Sequence, residues 1–148
     1  MIQERFYNMM TYLEEAFEQG DFQHVKSLAE EYLALAELNQ NNWNYGNAIH
    51  HSNIWLGRIA LMENDLEKAK NFLLKAAQTK GSPQLNSFGP NMTLAKELLE
   101  MNEPEVVLNY INSCKKFWKW YLSWFKIRKW KKEIRKGNIP NFGSNLYY

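Results

Sequence analysis

The sequence predicts an all-α chain: three antiparallel helix hairpins stacked as a short solenoid, closed by a basic C-terminal helix and a short tail. Three observations predict it. Apolar residues recur three and four positions apart, the spacing that lines one side of a helix. Three short polar breaks, Gly20-Asp21-Phe22, Asn64-Asp65-Leu66 and Asn102-Glu103-Pro104, share a turn-tolerant residue, an acid and a helix start. The prolines, Pro83, Pro90, Pro104 and Pro140, fall only at breaks or helix starts, so no helix interior is interrupted.

The first hairpin spans about residues 3–38. Phe6, Met9, Met10, Leu13, Ala16 and Phe17 precede its turn, and Val25, Leu28, Ala29, Tyr32 and Leu33 follow it. Asp21 is a good N-cap because a carboxylate accepts from the free N–H groups of a first helical turn. The second hairpin, about 43–78, has a long first helix from about Trp43 to Met62, with Asp65 as the cap of the next. The third, about 90–119, turns at Asn102, with Pro104 at a first helical position, where no N–H is needed. The three breaks lie 44 and 38 residues apart, as a repeat with insertions requires.

The middle hairpin, Asn53 to Ala76, resembles a tetratricopeptide repeat. Leu56-Gly57 with Ala60, then Asp65-Leu66-Glu67-Lys68-Ala69, then Leu73 and Ala76, carry the resemblance. Gly57, Ala69 and Ala76 are the small residues that let two helices approach. The chain departs from the pattern at Asn53, Ala60 and Leu73, where the repeat has tryptophan, tyrosine and phenylalanine. The stretch Gly81 to Pro90 and the tail Pro140 to Leu146 are similar to those of small bacterial tetratricopeptide-like proteins. That resemblance implies the fold, a bacterial origin and a concave groove that holds a ligand; it implies no activity.

At 148 residues, 45% hydrophobic and 23% charged, the chain fits one domain, 1–148. A single cysteine, Cys114, forms no internal disulfide, and Glu4 and Arg5 interrupt the stretch where a signal peptide would be apolar, which points to a reducing, cytoplasmic setting. No run reaches the roughly 18 apolar residues of a membrane span. Charge is unevenly spread. Residues 1–114 hold eight Lys/Arg against fifteen Asp/Glu, whereas residues 115–136 hold ten Lys/Arg against Glu133 alone.

Helical projection of the long helix puts Asn44, Asn47, His51, Trp55 and Arg58 in one stripe and Gly46, His50, Asn53 and Gly57 in the next. The second holds the close-packing glycine, so His50 and Asn53 belong between helices. His51 and Arg58 then face the groove, with Tyr7, Met10, Glu14, Ile54 and Lys96. His51 is either a satisfied structural histidine or a ligand contact. Adjacent histidines diverge by about 100° on a helix, and no metal ligand stands four residues on, so no metal or cofactor is expected. The loop 81–90 either is a connector with Leu85 and Phe88 in the core or takes part in recognition through Gln84, Asn86, Ser87 and Asn91. It lacks the Gly-Lys-Ser/Thr ending of a P-loop.

The last helix, about 123–136, regains an apolar stripe at Trp124, Ile127, Trp130 and Ile134 if the preceding helix ends near Trp120. It is a lid on the third hairpin, or a cationic aromatic surface for nucleic acid, an anionic membrane or an acidic protein. The tail is 137–148. Cys114 sits at a buried small-residue position, no serine has a nucleophile setting, and Glu14-Glu15 and Glu30-Glu31 read as solvated faces, so no catalytic residue is assigned. The sequence points to a non-enzymatic interaction module, an adaptor, chaperone or immunity-type protein, that binds a peptide or protein partner. The alternative is nucleic-acid binding through the basic helix.

Overall fold

A computed structural model describes residues 1–147. They form eight α-helices: α1 (Ile2–Glu18), α2 (Phe22–Glu37), α3 (Tyr45–Met62), α4 (Leu66–Ala76), α5 (Pro83–Phe88), α6 (Thr93–Glu100), α7 (Pro104–Cys114) and α8 (Ser123–Arg135). A 3-10 turn, Gly143–Leu146, follows, and no strand occurs among the described residues. No helix among them is long and apolar enough to cross a membrane.

The three polar breaks share one backbone geometry. Gly20, Asn64 and Asn102 take left-handed φ values of 73°, 60° and 60°. At each, two N–H groups turn back onto the finished helix: Gly20 and Asp21 donate to Phe17 and Ala16, Asn64 and Asp65 to Leu61 and Ala60, Asn102 and Glu103 to Leu99 and Leu98. This is the double bond of a Schellman stop, which satisfies helix-end carbonyls and is tolerated by glycine or asparagine. The acid that follows starts the next helix. Asp21 accepts from the His24 N–H and Asp65 from the Lys68 N–H, both at 3.1 Å. Glu103 makes no such cap and pairs with Lys70 at 3.2 Å, leaving Pro104 to open α7.

α3 is buried nearly all round, as befits a central helix. One side, with Ala48, Trp55, Leu56 and Ile59, packs with Phe6, Met9, Leu13, Val25 and Tyr32 of α1 and α2. The other gives Ile54 and Ala60 to a second core, with Leu73, Leu85, Met92, Leu98, Tyr110 and Phe117. Two glycines set how close its neighbours come. A Cβ on Gly57 would meet a Leu94 methyl at 2.2 Å, and one on Gly46 would meet the Gly81 carbonyl oxygen at 1.9 Å.

Three boundaries and one helix face differ from the sequence expectation. α3 begins at Tyr45, which leaves Trp43 outside the helix. The loop 81–90 contains α5, opened by Ser82, whose Oγ accepts from the Leu85 N–H at 3.0 Å, and by Pro83 at the first helical position. α7 stops at Cys114, short of Trp120, because the Lys119 and Trp120 N–H groups both donate to the Asn86 carbonyl, at 2.9 and 3.0 Å. The apolar stripe of α8 keeps Ile127, Trp130 and Ile134 buried as expected but begins at Ser123, and Trp124 is half-exposed. Ser123 takes the inward place because its hydroxyl donates to the Trp118 carbonyl at 3.3 Å. Of the loop's two apolar residues, Leu85 is buried and Phe88 is 62% exposed, since α5 turns only one side to the core.

The two α3 glycines differ in what a methyl would strike. Gly46→Ala collides with backbone and is expected to cost about 2 kcal/mol or more. Gly57→Ala meets a side-chain end that can rotate, and regains up to about 1 kcal/mol of helix propensity. Urea midpoints followed by circular dichroism should therefore fall clearly for the first and little for the second.

Candidate functional site

The N-terminal half of α3 carries an unusual buried polar set: Asn44, Asn47, His50, His51, Ser52 and Asn53. Most have identifiable partners. Asn53 Nδ2 donates to the Ile49 carbonyl one turn back, at 2.7 Å. His50 is fully buried; its Nδ1 lies 2.8 Å from the Ala76 carbonyl, and its Nε2 accepts from the Asn91 N–H at 2.9 Å. Only the neutral ring protonated on Nδ1 makes both bonds. Burial pushes its pKa down to about 4. His51, against it edge to face at 5.0 Å, is also pushed well down, by burial and then by His50.

Next to this layer the carboxamides form a chain. Tyr32 Oη donates to Asn44 Oδ1 at 3.4 Å, and Asn44 Nδ2 donates to the Phe6 carbonyl at 3.1 Å. Asn47 Nδ2 lies 3.1 Å from both Asn44 Oδ1 and Gln84 Oε1, and Asn47 Oδ1 accepts from the Ser82 hydroxyl at 2.5 Å. Asn44 and Asn47 are thereby held rigidly, tying α1, α3 and α5 together.

This chain is the floor of a cleft of about 510 Å³. Tyr7, Met10 and Glu14 of α1 form one wall, Gln84 and Phe88 of α5 another, and Ser144 and Tyr147 of the tail a third. Trp43 stacks on Tyr7 at 5.4 Å and 10°, and both rings are about half-exposed. Asn42 Nδ2 holds the Tyr7 hydroxyl at 2.8 Å. A narrower extension of about 170 Å³ shares Met10, Glu14, His51 and Tyr147 and runs on past Ile54, Trp55, Arg58 and Asn91. Burial, then the neighbouring Glu18, raises the Glu14 pKa.

Of the residues singled out in the sequence, Tyr7, Glu14, Asn44, Asn47, His51, Trp55, Arg58, Gln84 and Asn91 line this continuous cleft. Lys96 lies outside both linings. Asn86 turns the other way: with its amide oriented to satisfy its neighbours, it donates to the Ser82 and Phe117 carbonyls. Ser87 is exposed and also outside the cleft. Arg58 is fixed, paired with Glu97 and lying over the rings of Phe17 and Trp55 at 4.5 and 5.0 Å. Sequence reasoning missed Tyr32, Trp43, Phe88, Ser144 and Tyr147. The uncharged tail was the available signal: Asn145 is buried, donates to the Phe88 and Pro90 carbonyls, and accepts from the Met92 N–H, which anchors the tail beside the cleft.

Chemically the cleft offers fixed amides and aromatic faces. His50 has both ring nitrogens engaged, and Cys114 is fully buried with its thiol pKa pushed well up by burial. Comparison with protein-family models, curated proteins and solved structures finds no match to this chain.

Because the folded His50 pKa lies near 4 and the unfolded one near 6.5, the unfolded chain binds the proton first as pH falls. Stability is fully present above about pH 6.5 and declines towards pH 4, by about 3 kcal/mol from His50. His51 adds in the same direction. Urea titrations at neutral and mildly acidic pH check this: His50→Ala should be destabilised by about 2–3 kcal/mol at pH 7, through two unpaired buried partners, and lose much of the pH slope. Parallel slopes for variant and wild type would place the pH dependence elsewhere.

Proposed function

We propose that this chain is a non-enzymatic interaction module of tetratricopeptide-like construction that holds a segment of a protein partner in the cleft between α1, α3, α5 and the tail. The observation that carries this reading is the pairing of a rigid carboxamide floor with half-exposed aromatic walls. Gln84, exposed and held at its Oε1 by Asn47, offers its amide nitrogen as a donor of the kind a peptide carbonyl needs, and the mutual bonds of Asn44 and Asn47 fix the floor beneath it before any partner arrives. Tyr7, Trp43 and Phe88 supply large, stiff apolar surface around them.

The tetratricopeptide-like construction is supported by the three equivalent stops at Gly20, Asn64 and Asn102. It is supported further by the pairing of α1 with α2, α3 with α4 and α6 with α7. In that construction α8 is the lid on the third pair, through Ile127, Trp130 and Ile134. A small module of this kind suits an adaptor, chaperone or immunity-type role in the cytoplasm.

The rim, not the buried histidines, is the place to test it, because His51 and Arg58 are built into the fold. Peptides selected from a random displayed library on the wild-type protein should bind Tyr7→Ala and Trp43→Ala at least about tenfold more weakly, as hot-spot aromatics behave. Thermal melts of the variants should stay close to wild type. Peptides that bind the variants as well as the wild type, or a library that yields no binder, would overturn the cleft as the binding site.

A further inference from the structure

A second recess, of about 480 Å³, lies between the end of α7 and α8. One stripe of α8, Trp124, Arg128, Lys131 and Arg135, recurs at four, three and four residues, and Lys115 faces it from beyond α7. This is the stripe next to the buried Ser123-Ile127-Trp130-Ile134 set, so the packing of α8 fixes which way the cations point. No carboxylate lines the recess among the described residues, and Lys115, Arg128 and Arg135 make no ion pair with one. Lys131 is held by Asn112 Oδ1 at 2.9 Å, and its pKa is pushed down to about 8 by burial and by the neighbouring Lys115. Four like charges are thus gathered into one concavity and left to repel one another. The arrangement opposes folding, and an anion seated among them relieves it.

The geometry points to this recess as a phosphate-tracking site for single-stranded nucleic acid, with Arg128, Lys131, Arg135 and Lys115 on the backbone and Trp124 as the stacking platform for a base. Three features favour a strand over other polyanions. The stripe runs about 16 Å at the α-helical rise, enough for roughly four nucleotides, the lower end of single-strand site sizes. Trp124 is 52% exposed and backed by Phe125 at 3.7 Å, a stiff ring wall at one end of the cation row. The cations line one concavity that is open to solvent, with Lys115, Arg128 and Arg135 exposed, so successive phosphates of a strand laid along it reach them.

The test is fluorescence anisotropy of a labelled oligothymidylate of about twelve nucleotides on the full chain, across about 50 to 200 mM salt. Four phosphate contacts predict a log–log salt slope of about −3. Arg128→Ala with Arg135→Ala should weaken binding at least about tenfold and halve the slope, with a thermal melt unchanged or raised because like charges are removed. Trp124→Ala should weaken it at least about fivefold and leave the slope unchanged, the signature of a lost stack rather than a lost ion contact. Equal binding by wild type and the arginine double variant overturns the proposal. So does binding to phosphatidylserine vesicles without binding to the oligonucleotide, which assigns the recess to a membrane, or equal binding of a polyglutamate peptide, which assigns it to acidic proteins. None of these outcomes bears on the aromatic cleft, which shares no residue with the recess.

Discussion

The His50 clasp is the constraint on which the arrangement of the chain turns. One imidazole, sealed from water, joins the end of α4 to Asn91, two residues before α6, by donating a hydrogen bond to one carbonyl and accepting one from one N–H. Both bonds form together only when the ring is neutral and protonated on Nδ1. Around it Tyr110 stacks at 6.4 Å and Phe117 stands edge-on at 5.8 Å, and Tyr110 Oη donates to the Asn91 carbonyl at 2.7 Å. The α4–α5 connection, α5 and the start of α6 are thereby held at the N-terminal half of α3. The cleft exists because that half of α3 is polar and its neighbours are pinned to it.

Much of the helical framework was legible in the sequence, for reasons that are local. Gly20, Asn64 and Asn102, each followed by an acid, are short-range signals, and the structure gives all three the same left-handed stop. Gly57 and Ala69 mark a close approach that does occur, with the Ala69 carbonyl 3.4 Å from where a Gly57 Cβ would stand. What was not legible depended on long-range hydrogen bonds. The Asn86 carbonyl, which ends the run of α7 by drawing Lys119 and Trp120 away, lies more than thirty residues from them. The first inward residue of α8 was equally hidden, because Trp124 stands three residues and Ser123 four residues before Ile127, both helical spacings, and only the Ser123 bond to Trp118 decides between them.

The candidate site divides in the same way. Residues placed by helix periodicity on α1 and α3, from Tyr7 to Arg58, converge on the cleft because periodicity is a backbone property. Residues placed by composition alone scatter: Gln84 and Asn91 reach the cleft, whereas Asn86 and Ser87, one turn of α5 away, do not. Charge counting located a basic segment but not its shape. The shape comes from α8 turning its aromatic and isoleucine side inwards, which leaves the arginines to line a hollow instead of a smooth surface.

α3 also belongs to both apolar cores at once, and Phe72 of α4 touches the two as well. A helix shared in this way couples their unfolding: opening α3 far enough to exchange its central amides exposes apolar surface on both sides together. The most protected amides of the chain should accordingly run along this one helix, and the two halves should melt as a single cooperative unit rather than one after the other. The outermost elements, α1 and α8, each rest on one core only. They are free to open locally while the shared helix stays closed, and they supply residues to the cleft and the recess respectively. In energetic terms one wall of the cleft and the cation row of the recess stand on helices backed by a single core, whereas the floor of the cleft stands on the shared helix.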